Sequence, residues 1–141
     1  KNMPDPNLNL VPVIIAGVIN MVIGALWYSP LVIGKLWMRS MGKTEEELKQ
    51  GFSSAAMGLT YVVNTIASLV FAYVLAHLVK FSMVNTFSQG VMIGFWVWLG
   101  FVVTTVIPGY MYESRPKMLY FLFIIYQLIS ITLMGGFLAI W

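Results

Sequence analysis

Cysteine is absent from this 141-residue chain, charge is scarce, and histidine occurs once. Without cysteine there are no disulfides, thiolate nucleophiles or thiolate metal sites. Charged residues make up 9% of the sequence, where a soluble domain carries about 25%. Too few polar groups therefore exist to cover a soluble globule of this size. Disorder needs low hydrophobicity and high net charge, and 60% of these residues are hydrophobic. Glycine-rich phosphate loops, zinc motifs and carboxylates at metal-ligand spacing do not occur. The lone His77 has no second imidazole for bis-His haem ligation, and the methionines read as apolar filler. It also has no cysteine to activate. The expectation is a non-catalytic protein with no cofactor and no metal. A net charge of +3 is too small to suggest nucleic acid as a partner.

The few charges are grouped. They lie at Lys1 and Asp5, from Lys35 to Lys49, at Lys80, and from Glu113 to Lys117. Between them run four charge-free windows, 6–34, 50–79, 81–112 and 118–141. A helix needs roughly 20 apolar residues to cross a hydrocarbon layer about 30 Å thick, so each window holds one crossing and none holds two. The fold expected is all-α: an integral membrane, four-helix transmembrane bundle forming a single domain. Spans are expected over 8–28, 55–79, 87–107 and 118–140, with an interfacial or cytosolic segment over 31–50. Runs such as Val11–Ile19 are apolar on every side, unlike the alternating strands of a β-barrel.

Connections 1–2 and 3–4 carry Lys35, Arg39, Lys43, Lys49, Arg115 and Lys117, whereas the other side carries Lys1 and Lys80. By the positive-inside rule those two connections face the cytoplasm and both termini lie outside.

Span 1 closes at Trp27-Tyr28, because Pro30 disfavours the helical region for Ser29. In the following segment Lys35 and Arg39 stand four residues apart among Leu31, Ile33, Leu36, Trp37 and Met41. That pattern predicts a short helix in the membrane interface, the alternative being the last turns of a bent span 1. Lys35, Arg39, Lys43 and Trp37 are candidate contacts for lipid headgroups, and membrane lipids are the expected small-molecule partners. Thr44-Glu45-Glu46-Glu47 matches a capping box opening a further short helix. A cation site there would need a second acidic cluster, and none exists. Pro108-Gly109 is expected to end span 3.

Span 2 carries a row at four-residue steps: Ala56, Thr60, Asn64, Ser68, Ala72 and Ala76. Small side chains let helix backbones approach in lipid, and hydroxyls or amides bond across helices. Span 1 has Ala16, Asn20 and Gly24; span 3 has Gly90 and Gly94, then Trp98; span 4 has Thr132 and Gly136. Gly24, Ala72, Ala76, Gly90, Gly94 and Trp98 are the candidate packing or assembly positions. Asn20, Thr60, Asn64, Ser68 and Gln127 are polar groups at membrane depth, either bonded between helices or framing a cavity. No acidic or basic side chain other than His77, near the end of span 2, lies within a span, which disfavours ion-coupled carriers, proton pumps and voltage sensors.

The run Gly24-Ala25-Leu26-Trp27-Tyr28-Ser29-Pro30-Leu31, followed by Gly34-Lys35 and Trp37-Met38, resembles a signature of small bacterial membrane proteins catalogued as domain of unknown function 1761. Asn20, the arrangement Gly90, Gly94 and Trp98, and the ending from Met134 to Trp141 also look like that family. The resemblance implies a four-span domain in a bacterial inner membrane, and it implies no activity. The preferred reading is a structural or accessory subunit that self-associates or joins a larger membrane complex. The alternative is a small oligomeric transporter, channel or lipid-handling protein for an uncharged or lipid substrate.

Overall fold

The structure, a computed structural model, describes residues 7–51 and 53–141. Helix α1 spans Leu10–Trp27, and the Asn9 side chain caps it by accepting from the Val11 N–H at 3.0 Å. Pro12 sits in the first turn, where a missing N–H costs nothing. The chain leaves the helix at Tyr28, and Ser29 Oγ donates to the Leu26 carbonyl at 2.6 Å. A turn over 29–33 follows. Helix α2 (Gly34–Met41) is thus a separate element, shorter than the 31–41 expected, and not a bent end of α1. It closes at Gly42, whose φ of 65° is the left-handed conformation that glycine adopts freely.

Helix α3 (Glu45–Gln50) begins with a complete capping box: Thr44 Oγ1 accepts from the Glu47 N–H while Glu47 Oε2 accepts from the Thr44 N–H. Lys49 pairs with Glu45 at 2.8 Å, and its hydrogen bond and charge hold the Glu45 carboxyl below its ordinary value. Helix α4 (Ser54–Phe81) is capped by Ser53, and in its last turn Lys80 Nζ donates to the Asn7 carbonyl at 2.9 Å.

The third long helix runs from Phe87 to Tyr112 in three parts: α5 (Phe87–Val97), a π-helical turn (Trp98–Val103) and α6 (Thr104–Tyr112). The expected stop at Pro108-Gly109 is therefore corrected. Pro108 removes one hydrogen bond to the preceding turn, yet the helix continues four residues beyond it to Tyr112. The wider π turn lies just upstream, and the Thr104 and Thr105 hydroxyls bond back to the Gly100 and Phe101 carbonyls. The helix ends instead where charge begins, at Glu113. Helix α7 (Lys117–Ile140) completes the chain.

Four helices, Leu10–Trp27, Ser54–Phe81, Phe87–Tyr112 and Lys117–Ile140, are long and apolar enough to cross a membrane. The described residues contain no strand, and the architecture is an all-α bundle with a short helix after the first span. One end, the charged end, carries α2, α3 and the α6–α7 connection. The opposite end carries Asn7, Lys80 and Trp141, which line a common cleft.

Helix α7 is the central pillar. Its most apolar stretch is 39% buried, against 17% to 28% for the other three. The core joins Val13 and Ala16 of α1, Ala72, Leu75, Ala76 and Val79 of α4, and Ile131, Met134 and Ala139 of α7. Small side chains are frequent in it, as expected where helices associate through close packing without a hydrophobic driving force between them.

Candidate functional site

Near the middle of the bundle three spans converge on one carboxamide. Asn20 of α1 donates from Nδ2 to Ser68 Oγ of α4 at 2.8 Å. Its Oδ1 accepts from Ser130 Oγ at 2.5 Å and from Tyr126 OH at 3.1 Å, both on α7. Ser68 passes its own proton on to the Gly17 carbonyl of α1 at 2.8 Å. Ser68 and Ser130 are buried, so these bonds form in a water-poor medium where an unpaired polar group is costly. Glycine makes the approach possible. A Cβ at Gly17 would meet Leu69 Cδ2 at 2.8 Å, and one at Gly24 would meet the Tyr126 hydroxyl at 3.0 Å.

Two tryptophans extend the same logic toward the charged end. Trp27 Nε1 donates to the Leu122 carbonyl at 3.2 Å, and Trp98 Nε1 donates to the Ile124 carbonyl at 3.0 Å. Both acceptors belong to α7, so indoles from two spans fasten to one helix two residues apart, within a single turn. On the α5 side the seam is built on glycines. Gly90 lies backbone to backbone with Gly135, and a Cβ on Gly94 would stand 2.6 Å from the Ile131 carbonyl oxygen. The Phe87 ring covers Gly136.

Of the polar candidates, the structure brings Asn20 and Ser68 together. Thr60 and Asn64 are exposed on the outer surface of α4. The Thr60 hydroxyl returns to its own helix, at the Ala56 carbonyl, while Asn64 has no hydrogen-bond partner among the described residues. Gln127 is half-buried on α7 and is apart from the Asn20 cluster. Ser130 and Tyr126, which complete the cluster, carried no distinguishing sequence signal beyond their four-residue spacing on a long apolar helix. The Gly17 carbonyl carried none, since any backbone offers one.

The packing candidates Ala72, Ala76, Gly90 and Gly94 are buried, and Gly24 and Trp98 are half-buried against α7. The four-residue row on α4 divides: Ser68, Ala72 and Ala76 are buried, whereas Ala56, Thr60 and Asn64 are exposed. Lys35, Arg39 and Lys43 are exposed, and Trp37 is half-buried against a cavity at the charged end. His77 donates from Nδ1 to the Tyr73 carbonyl at 2.9 Å and lies edge-on to the Tyr73 ring. Among the described residues no three His, Cys, Asp or Glu side chains gather where a metal ion would need them.

The central cluster contains one amide, two aliphatic hydroxyls and a phenol. Its arrangement fastens helices: each donor is aimed at an acceptor on another span. No curated protein and no solved structure matches the chain. The family model described as Protein of unknown function (DUF1761) matches residues 11–139, and the chain belongs to that family.

Proposed function

We propose that the protein is a non-catalytic membrane subunit that self-associates through the first half of α4. One observation carries this reading. From Ser54 to Ala67 every residue of α4 is exposed except the half-buried Thr65, and Asn64 projects from this bare stretch without a partner. A carboxamide surrounded by lipid is unfavourable unless it is hydrogen-bonded. Asn64 is both donor and acceptor, so a second copy of the same face, related by a two-fold axis, satisfies it with no other chemistry required. Ala56, four residues before Thr60, and Thr60 itself keep that face narrow enough for close approach.

The transport alternative draws less support. It needs Asn20 and Ser68 open to a solvated or lipid-filled path, yet both are consumed in bonds to each other, to α7 and to Gly17. The basic residues of the charged end support a cytoplasmic orientation for it. Because the chain has no cysteine, single cysteines at Lys43 and Met83 report sidedness directly: impermeant reagent added outside labels Met83→Cys only.

Self-association is tested by native mass spectrometry and by disulfide cross-linking of Thr60→Cys in native membranes. A dimer or higher oligomer is expected, with Asn64→Leu weakening it about 3- to 30-fold, the range of one to two interhelical hydrogen bonds in lipid. A monomer in native membranes, or an oligomer indifferent to Asn64→Leu, overturns the reading.

A further inference from the structure

A cavity of about 400 Å³ opens at the charged end between α2, α6 and the start of α7. Five of its twelve lining residues are aromatic. Tyr28 and Trp37 meet edge to face at 6.1 Å, and Tyr110 and Tyr120 lie 4.7 Å apart. Gly34 allows α2 to fold against the end of α1 here, since a Cβ on it would stand 2.6 Å from the Tyr28 carbonyl oxygen. Arg115 and Glu113 add charge to the lining and pair with each other at 3.0 Å.

Several groups in this lining have hydrogen-bonding capacity to spare. The indole N–H groups of Trp27 and Trp98 are both bonded to α7 carbonyls. That of Trp37 has no partner among the described residues, and an indole N–H can only donate. The Tyr28 hydroxyl also has none. The Tyr120 hydroxyl is covered by its neighbours and is likewise without a partner. Arg115 uses Nε on Glu113, which leaves its terminal N–H groups. Glu113 meets Arg115 through one carboxylate oxygen, and the Thr105 hydroxyl donates to the Phe101 carbonyl. The Trp37 indole and the Arg115 guanidinium can only donate and both have capacity to spare, so a guest with anionic oxygens fits these two groups.

The surroundings distinguish a lipid from a soluble anion. The cavity lies at the ends of membrane-length helices, among Trp and Tyr rings of the type found at headgroup depth. Nearby residues of α6 and the α1–α2 turn, Met111 and Leu31, are 76% and 90% exposed, offering an apolar path for chains. A volume of about 400 Å³ falls at the lower end of the roughly 300–1,000 Å³ usual for ligand sites. We propose that this cavity binds the phosphate-bearing headgroup of an anionic phospholipid, with Arg115, Trp37 and Tyr28 as donors to it. The site is independent of self-association, because no residue of α4 lines it.

The test uses the full chain, reconstituted with phosphatidylglycerol and phosphatidylcholine in equal amounts, then delipidated in mild detergent. Native mass spectrometry then counts the lipid retained. Phosphatidylglycerol is expected to outlast phosphatidylcholine by about tenfold, the equivalent of one charge-assisted hydrogen bond. Arg115→Gln and Trp37→Phe each reduce that preference several-fold, whereas Lys35→Gln, on the exposed side of α2, leaves it intact. Brominated phosphatidylglycerol gives a second readout: it quenches wild-type emission more than that of Trp37→Phe, so a poorly folding Arg115→Gln does not decide the matter. Three results overturn the proposal. They are equal retention of the two lipids, loss of the preference in Lys35→Gln as large as in Arg115→Gln, or displacement of the lipid by inorganic phosphate at matched ionic strength.

Discussion

The two sides of α7 are joined to their neighbours by opposite means. Toward α5, contact depends on missing side chains: Gly90 and Gly94 bring backbone against Gly135 and Ile131. Toward α1 and α4, contact depends on side chains that reach: Asn20, Ser68, Tyr126 and Ser130 exchange four hydrogen bonds or more across three helices. In lipid both solutions answer the same need, since apolar side chains gain little by leaving an apolar solvent. The difference lies in how each fails. A steric seam fails abruptly, because backbone cannot move aside. A polar seam fails in steps, one unpaired group at a time.

The glycine seam therefore carries the largest expected effect. Gly94→Leu drives a side chain into the Ile131 carbonyl and costs about 3 kcal/mol or more, toward the upper range for overpacking. Thermal unfolding in detergent should fall steeply or yield no folded protein. Gly94→Ala sharpens the comparison, with an intermediate loss, because its Cβ alone already meets that oxygen at 2.6 Å. A near wild-type melting temperature for Gly94→Leu would show that α5 does not depend on this seam.

On the polar side Asn20→Leu is expected to cost about 2 kcal/mol. It takes from the Tyr126 and Ser130 hydroxyls their best acceptor, leaving only the long contacts to the Asn20 carbonyl and to Met134 Sδ, while Ser68 keeps the Gly17 carbonyl. The stepwise character is testable by continuing. Adding Tyr126→Phe and Ser130→Ala to Asn20→Leu removes those hydroxyls and should recover about 1 kcal/mol, since deleting all partners costs less than deleting one. If the combined variant melts below Asn20→Leu, the cluster contributes through shape and not through hydrogen bonding.

How much of this was legible in the chain follows the same division. The four spans and their order could be read from where Lys35–Lys49, Lys80 and Glu113–Lys117 interrupt apolar sequence, because charge is excluded from hydrocarbon. The Thr44 capping box was legible because its bonds are local. Which way Asn64 and Gln127 face was not. A soluble helix reveals its buried side by polarity, but a helix with lipid on one side and protein on the other is apolar all round. Only the fold distinguishes Ser68 from Asn64, four residues earlier on the same row. Ser130 and Tyr126 were hidden for the same reason. The helix runs through Pro108, with a π turn and the Thr104 and Thr105 back-bonds just upstream, which punctuation by proline does not disclose.

The smallest expected effect concerns the tryptophans, and it separates fastening from binding. Trp98 fills space beside α7 and donates to the Ile124 carbonyl, so Trp98→Phe loses one interhelical hydrogen bond, about 0.6 kcal/mol in lipid, plus some packing. Trp37 packs edge to face with Tyr28, but its N–H has no acceptor within the described residues. Phenylalanine keeps an aromatic edge there, so Trp37→Phe should leave the melting temperature in lipid-free detergent nearly unchanged. If Trp37→Phe destabilises the delipidated protein as much as Trp98→Phe does, then the indole N–H at position 37 serves the fold. Its surplus donor would then be spent within the chain, and the contrast between tryptophans that hold α7 and one that faces the cavity would dissolve.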